Sequence, residues 1–392
     1  MSKDPSSSRL APHIAHLSAG APPIAGSELS VDLKALAANY TELAEKSGSA
    51  EASAVIKADA YGTGLEEAAK ALWQAGCRTF FIAHPQEGAR ARSTLPEATL
   101  YALNGLVGDD SEAAMAYYRD HGIRPVLGSY EEVDLWNAYC ASIDEALPCA
   151  LHFDTGMNRL GLSKKAAHQL SEKWLSQPPA FTPTLIMSHL ACGDDPQHPL
   201  NSTQLDRFRA IRACFPDIPA SLANSAGVFL GPDFHFDLTR PGIALYGGLA
   251  INNRPNPMQT VVTLKSRILS TRHVPKGQSV SYGATEVTKR DSRLAIINMG
   301  YADGYLRTGS SSDQRKGARV YIDGYEATII GRITMDLTII DVTDIPEDIA
   351  KRGNWAELFG PHMPIDEVAA IAGTIGYELL TNLGLRSLRR YL

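Results

Sequence analysis

Ala54-Val55-Ile56-Lys57-Ala58-Asp59-Ala60-Tyr61-Gly62-Thr63-Gly64 is the stretch on which the reading of this chain turns. A short apolar run ends on a lysine and meets a turn of small residues, with a tyrosine and two glycines just beyond. An ammonium is costly to desolvate, so a lysine at the tip of a buried strand calls for a reason. Partly desolvated and near other cations, it gives up its proton more easily. It then serves as an amine nucleophile, a Schiff-base former or a general base.

Outward from this run the chain alternates strands and helices. Before it, Asp32 caps a helix on which Leu33, Leu36, Ala37, Tyr40 and Leu43 recur at helical spacing. Strands are expected over residues 53–57, 79–83, 99–103, 124–127, 149–154, 185–189, 221–223 and within 236–246. Gly76 and Gly122 close two of the intervening helices, and Pro85 opens another. About eight β–α units predict a (β/α)8 TIM-type barrel, with an open doubly wound sheet as the weaker alternative. Neither G-x-G-x-x-G nor G-x-x-x-x-G-K supports that alternative.

The pattern changes after Ile251-Asn252-Asn253-Arg254-Pro255-Asn256-Pro257. Short β-rich runs then follow over 261–270, 293–299, 318–322, 327–332 and 338–342, with helical spacing returning only over 365–372. The expected organisation is a tail over 1–27, a barrel domain over 28–255 and a mainly β C-terminal domain over 256–392. The tail is rich in Ser, Ala, Pro and Gly. It lacks an apolar core flanked by basic residues and reads as disordered rather than as a secretory signal.

With 392 residues, 44% of them hydrophobic, the chain can bury a sizeable core. A net charge of −6 gives no basic footprint for nucleic acid or membrane surfaces, and no apolar run approaches the ~20 residues of a membrane span. The five cysteines are scattered without a C-x-x-C pair, which argues against a zinc site or a disulfide framework and for reduced thiols in a cytoplasmic protein.

A barrel carries its active site at the C-terminal ends of its strands. Lys57, Asp154 with Arg159, His189, Asn224 with Ser225, and Arg240 all fall at such ends. Singly, each has an ordinary explanation: His189 as a core residue, Arg159 in an ion pair with Asp154, Ser225 as a helix cap. Together with Lys57 they form an anion- and amine-handling pocket. Ser225 with the Gly242 and Ile243 amides also has the form of a phosphate cradle.

The chain resembles the alanine racemase family of pyridoxal-phosphate enzymes of fold type III. The likeness spans nearly all of residues 29–392. It lies in the Lys57 stretch, Asp154-Thr155-Gly156-Met157-Asn158-Arg159-Leu160-Gly161, Ala223-Asn224-Ser225 and Arg240-Pro241-Gly242-Ile243-Ala244-Leu245-Tyr246-Gly247. In the second half it lies in Val280-Ser281-Tyr282-Gly283-Ala284-Thr285, Gly300-Tyr301-Ala302-Asp303-Gly304 and Gly331-Arg332-Ile333-Thr334-Met335-Asp336.

The resemblance implies pyridoxal 5'-phosphate bound covalently to Lys57, with Tyr61, Ser225, Tyr377 and the Gly242 and Ile243 amides on its phosphate and Asn224 beside it. Arg159 would meet the cofactor's phenolic oxygen and the substrate carboxylate. Arg240 would face the pyridine nitrogen, and His189 would brace Arg240 and Tyr282. Arginine keeps its proton, so it disfavours protonation of that nitrogen and weakens the electron sink, which suits a reaction that only moves a proton. Lys57 and Tyr282 would be the bases on the two faces of the α-carbon. A tyrosine ordinarily titrates near about 10 and needs activating neighbours for that work. Tyr282, Tyr301 and Met335 would come from a partner subunit, giving a head-to-tail homodimer with shared sites. The activity implied is L-alanine to D-alanine interconversion, supplying D-alanine for peptidoglycan.

Two positions depart from the family pattern: His152 stands where many relatives carry a carbamylated lysine, and Thr334 where a cysteine is common. Other functions weighed are a broad-specificity or serine racemase, a fold-type III amino-acid decarboxylase, and a single-barrel cofactor-binding protein. Arg240 and the Tyr282 motif argue against the decarboxylase, and the large C-terminal domain against the single barrel.

Overall fold

A computed structural model describes residues 24–392, so the expected tail lies outside the described residues up to position 23. The helix Leu33–Ser47 starts where Asp32 accepts the Lys34 and Ala35 amides, both at 2.9 Å. Such a cap is worth about 1 kcal/mol. Leu36, Tyr40 and Leu43 bury its inner face.

The first barrel strand is interrupted at Ser53 into Glu51–Ala52 and Ala54–Val55. From Ala54–Val55 a seven-stranded parallel sheet runs in sequence order through Thr79–Ile82, Thr99–Ala102, Ile123–Leu127, Pro148–His152 and Thr182–Met187 to Ala220–Ser221. Leu238–Thr239 pairs in parallel with Glu51–Ala52. The Arg240 amide donates to the Ala223 carbonyl at 2.8 Å, and the Val55 amide to the Pro241 carbonyl at 3.0 Å. Those bonds close the barrel. Strands such as Thr79–Ile82 are buried along their whole length, as parallel strands under helices must be.

Eight strands form the second sheet, joined through Val262–Val274, which pairs with both Trp355–Phe359 and Ser292–Ile297. Residues at the start of the described chain belong here. Ser27–Val31 runs antiparallel to Val262–Val274 and parallel to Leu388–Tyr391. Its alternation buries Leu29 and Val31 opposite Leu264 and Val262, so the chain enters through the β domain before it builds the barrel.

The last strand also grips the barrel mouth. Arg389 donates to the Gly62 carbonyl and the Tyr391 hydroxyl to the Thr63 carbonyl, each at 3.0 Å. A side chain at Gly62, whose φ is +77°, would stand 2.3 Å from the Leu380 carbonyl oxygen, so glycine is required there. All five cysteines are unpaired. No helix among the described residues is long and apolar enough to cross a membrane.

Candidate active site

The strand expected to end on Lys57 stops at Val55, and the backbone then turns left-handed. Ala58, Asp59, Ala60 and Tyr61 have φ of 54°, 55°, 52° and 55°. This tight turn projects Lys57 and Tyr61 into one cavity of about 310 Å3 at the barrel mouth. Arg159, His189, Asn224, Ser225, Arg240, Gly242, Ile243 and Tyr377 also line it. Ten of the residues expected from sequence therefore meet in one place. Two more open depressions, of about 580 and 570 Å3, lie on the β domain, and neither contains Lys57 or the cradle.

Burial lowers the basicity of Lys57, and Arg159 adds to that effect, while Glu87 opposes both. The neutral amine is the form that attacks a carbonyl carbon, so the environment favours the nucleophile. Arg240 is 3% exposed, and burial pushes its pKa down to about 9. It remains a cation at neutral pH. His152 is pushed down to about 4 by burial, then by Arg240 and Arg159, with Asp154 acting the other way. Burial and the Arg240 charge hold His189 well below its ordinary value. Both imidazoles are therefore neutral beside two arginines.

One expectation and two of the ordinary alternatives change in detail. Arg240 is held by the Ser188 carbonyl at 2.5 Å and by the Ser221 hydroxyl, rather than by the His189 ring. The cap of the helix Ser225–Leu230 is Asn224, which accepts the Gly227 amide at 2.9 Å. Ser225 is thereby freed to accept the Gly242 amide at 2.8 Å and the Ala244 amide at 3.3 Å. Asp154 makes no ion pair with Arg159; it accepts the Gly156, Met157 and Asn158 amides at 2.9–3.1 Å and folds the loop that carries Arg159.

Aromatic packing fixes Tyr61. Its ring stacks on Tyr246 with centroids 4.6 Å apart and lies 6.0 Å from Tyr377. Tyr246 in turn donates to the Val55 carbonyl at 3.0 Å. Sequence reasoning missed Tyr246, Ser188 and Ser221, which hold other residues of the site in place, and Glu87, whose charge acts on Lys57. Tyr246 lies in a motif singled out above, yet its sequence gives no sign of what it touches.

Tyr282, Tyr301 and Met335 lie outside this cavity, on the β domain, 71%, 43% and 54% exposed. The backbone ties two of their loops together, with the Tyr301 amide on the Thr334 carbonyl and the Ala302 amide on the Met335 carbonyl, both at 3.0 Å.

A desolvated lysine, a backbone anion cradle and a buried arginine at a barrel mouth define an enzyme of the lysine-anchored cofactor class. The comparisons refine this. A sequence model described as alanine racemase, N-terminal domain, matches residues 31–250, and one described as alanine racemase, C-terminal domain, matches residues 261–391. The chain is 49% identical over 370 residues to the biosynthetic alanine racemase of Agrobacterium fabrum, covering 93% of each chain. It is 48% identical to the alanine racemase of Rhizobium meliloti, covering 94% of this chain and 97% of that one. The crystal structure of the Bartonella henselae alanine racemase with covalently bound pyridoxal phosphate matches with a TM-score of 0.86 and 39% identity, over 94% of this chain and all of that one. The Pseudomonas aeruginosa biosynthetic enzyme gives 0.87 and 34%, with the same coverage. The chain belongs to the alanine racemase family.

Proposed function

We propose that this protein interconverts L- and D-alanine with pyridoxal 5'-phosphate as cofactor. The observation that carries the reading is the joint presence of Lys57, its basicity lowered by burial, and the Ser225–Gly242–Ile243 cradle in one cavity. The residues fit the cofactor: the cradle is an anion site, and a side chain at Gly242 would fill it, 2.3 Å from the Tyr61 hydroxyl.

When bound, the cofactor supplies the electron sink that makes the substrate's α-proton removable. Lys57 would hold the cofactor through its side-chain nitrogen, and as a free amine it would take or return a proton at the α-carbon. Ser225, Tyr61, Tyr377 and the Ile243 amide would hold the phosphate, beside Asn224, and the Gly242 amide would join them on exchanging its bond to the Ser225 hydroxyl for one to the phosphate. Arg159 binds the substrate carboxylate. Arg240, locked by Ser188 and Ser221, would donate a hydrogen bond to the ring nitrogen and disfavour its protonation. His189, neutral, packs beside Arg240 without adding charge.

The second face needs its own base. Tyr282 of the partner subunit fills that role in a head-to-tail homodimer, with the partner's Tyr301 and Met335 at the substrate and the partner's Tyr301 and Tyr377 narrowing the entrance. The exposure of Tyr282, Tyr301 and Met335 in a single chain supports this assignment. In the cell the reading is a cytoplasmic enzyme making D-alanine for the cell wall. The test is optical. Purified protein is expected to carry the visible absorption of a lysine-bound cofactor, and Lys57→Ala to abolish it; a Lys57→Ala protein with an unchanged band contradicts the assignment.

A further inference from the structure

Four consecutive residues with side chains, Ala58 to Tyr61, hold φ between 52° and 55°. Each costs roughly 1–2 kcal/mol in that region. Such a turn persists only where its surroundings over-determine it. The helix Pro85–Thr94 supplies two restraints from one face. Arg90 reaches the Asp59 carboxylate at 2.9 Å. Glu87 accepts the Ala58 amide on Oε1 at 2.7 Å, and the Ala83 and His84 amides on Oε2 at 2.8 and 3.2 Å.

The Oε2 bonds are those of an ordinary helix capping box. The Oε1 bond goes further, because it ties the turn after the first barrel strand to the loop after the second. We propose that Glu87 is a positioning residue for Lys57, its carboxylate clamping the left-handed turn that aims the amine into the cavity. This rests on the reading of Lys57 as the cofactor lysine. The Glu87 charge also partly offsets the loss of Lys57 basicity caused by burial and Arg159.

The barrel contains its own control. Glu132, at the same third position of the helix Tyr130–Ile143, accepts the Gly128 amide at 2.7 Å on one oxygen and the Leu106 amide at 2.8 Å on the other. It bridges two loops in the same way, but it lines no part of the Lys57 cavity.

The experiment compares Glu87→Gln with Glu132→Gln in full-length, cofactor-loaded protein. Amide hydrogen exchange is read over 54–64, together with the pH titration of the visible absorption, kcat and KM. Glu87→Gln is expected to speed exchange over 54–64 and move the optical midpoint to lower pH. It should lower kcat about 10- to 100-fold while KM changes by less than about threefold, the pattern of a misaimed catalytic group. Glu132→Gln should leave 54–64 and the optical titration unchanged. Adding Ala58→Gly to Glu87→Gln should restore part of kcat, because glycine adopts positive φ without strain. If Glu87→Gln leaves both exchange and titration like those of Glu132→Gln, Glu87 is only a helix cap and the proposal fails. Retention of the band by Lys57→Ala would instead remove the Lys57 reading, while exchange over 54–64 still decides the clamp.

Discussion

The Ser225 hydroxyl accepts the Gly242 amide at 2.8 Å, tying the loop after the seventh barrel strand to the loop after the eighth. The cradle is thus assembled from two loops that meet only when the barrel closes. Ser225→Ala removes the hydroxyl from an anion site. Lost hydrogen bonds to charged partners cost about 1.5–3 kcal/mol, roughly ten- to a hundredfold in affinity. Equilibrium titration of the stripped protein with pyridoxal phosphate is expected to show a weakening in that range; unchanged affinity would place the phosphate elsewhere.

Gly242→Ala tests the same cradle by filling it. The added carbon would stand 2.3 Å from the Tyr61 hydroxyl, and Tyr61 cannot easily withdraw because its ring is buried and stacked on Tyr246. The variant should fold, judged by far-ultraviolet circular dichroism, yet lose its cofactor on gel filtration. Full retention would show that the loop has room to spare.

His152 gives a stability prediction with a defined sign. Its folded pKa is about 4 against an ordinary 6.5. Between those values the unfolded chain binds the proton that the folded protein excludes. The neutral form's contribution is therefore complete above about pH 6.5 and is lost as pH falls towards 4. The slope from one such group is at most about 1.4 kcal/mol per pH unit. His189, shifted in the same direction, adds to it. Urea midpoints measured at pH 7 and pH 5 should fall less in His152→Gln than in the parent protein. An equal fall in both would mean that His152 is protonated in the folded state.

Tyr282 tests the shared site. Tyr282→Phe should slow proton transfer on one face of the substrate, so that solvent-deuterium incorporation from L- and D-alanine becomes unequal. Mixing this variant with Lys57→Ala should recover activity through hybrid dimers that contain one intact site. No recovery despite demonstrated subunit exchange would contradict a site built from two chains.

The alternation of strands and helices was legible because each unit carries local punctuation, such as Asp32, Gly76 and Pro85. Lys57, Ser225 and Arg240 were legible because polar groups at strand ends converge in a barrel. Ser27–Val31 was missed because five residues of alternating burial carry little signal, and their partners lie more than two hundred residues away. The left-handed turn escaped for another reason. Of Ala58-Asp59-Ala60-Tyr61 only Asp59 is of a type that readily takes positive φ, and the surrounding contacts hold the other three there. Glu87 was hidden by its own normality, since a glutamate at the third position of a helix reads as a cap and its bond to Ala58 is tertiary.

The most direct measurement incubates the purified, cofactor-loaded protein with L-alanine, follows the product by chiral chromatography, and runs other amino acids in parallel. The account predicts progress to an equal mixture of L- and D-alanine, at equal final ratio from either isomer, with no loss of carbon dioxide. Release of carbon dioxide without D-alanine, or no D-alanine at all from a protein with its visible band intact, would contradict it.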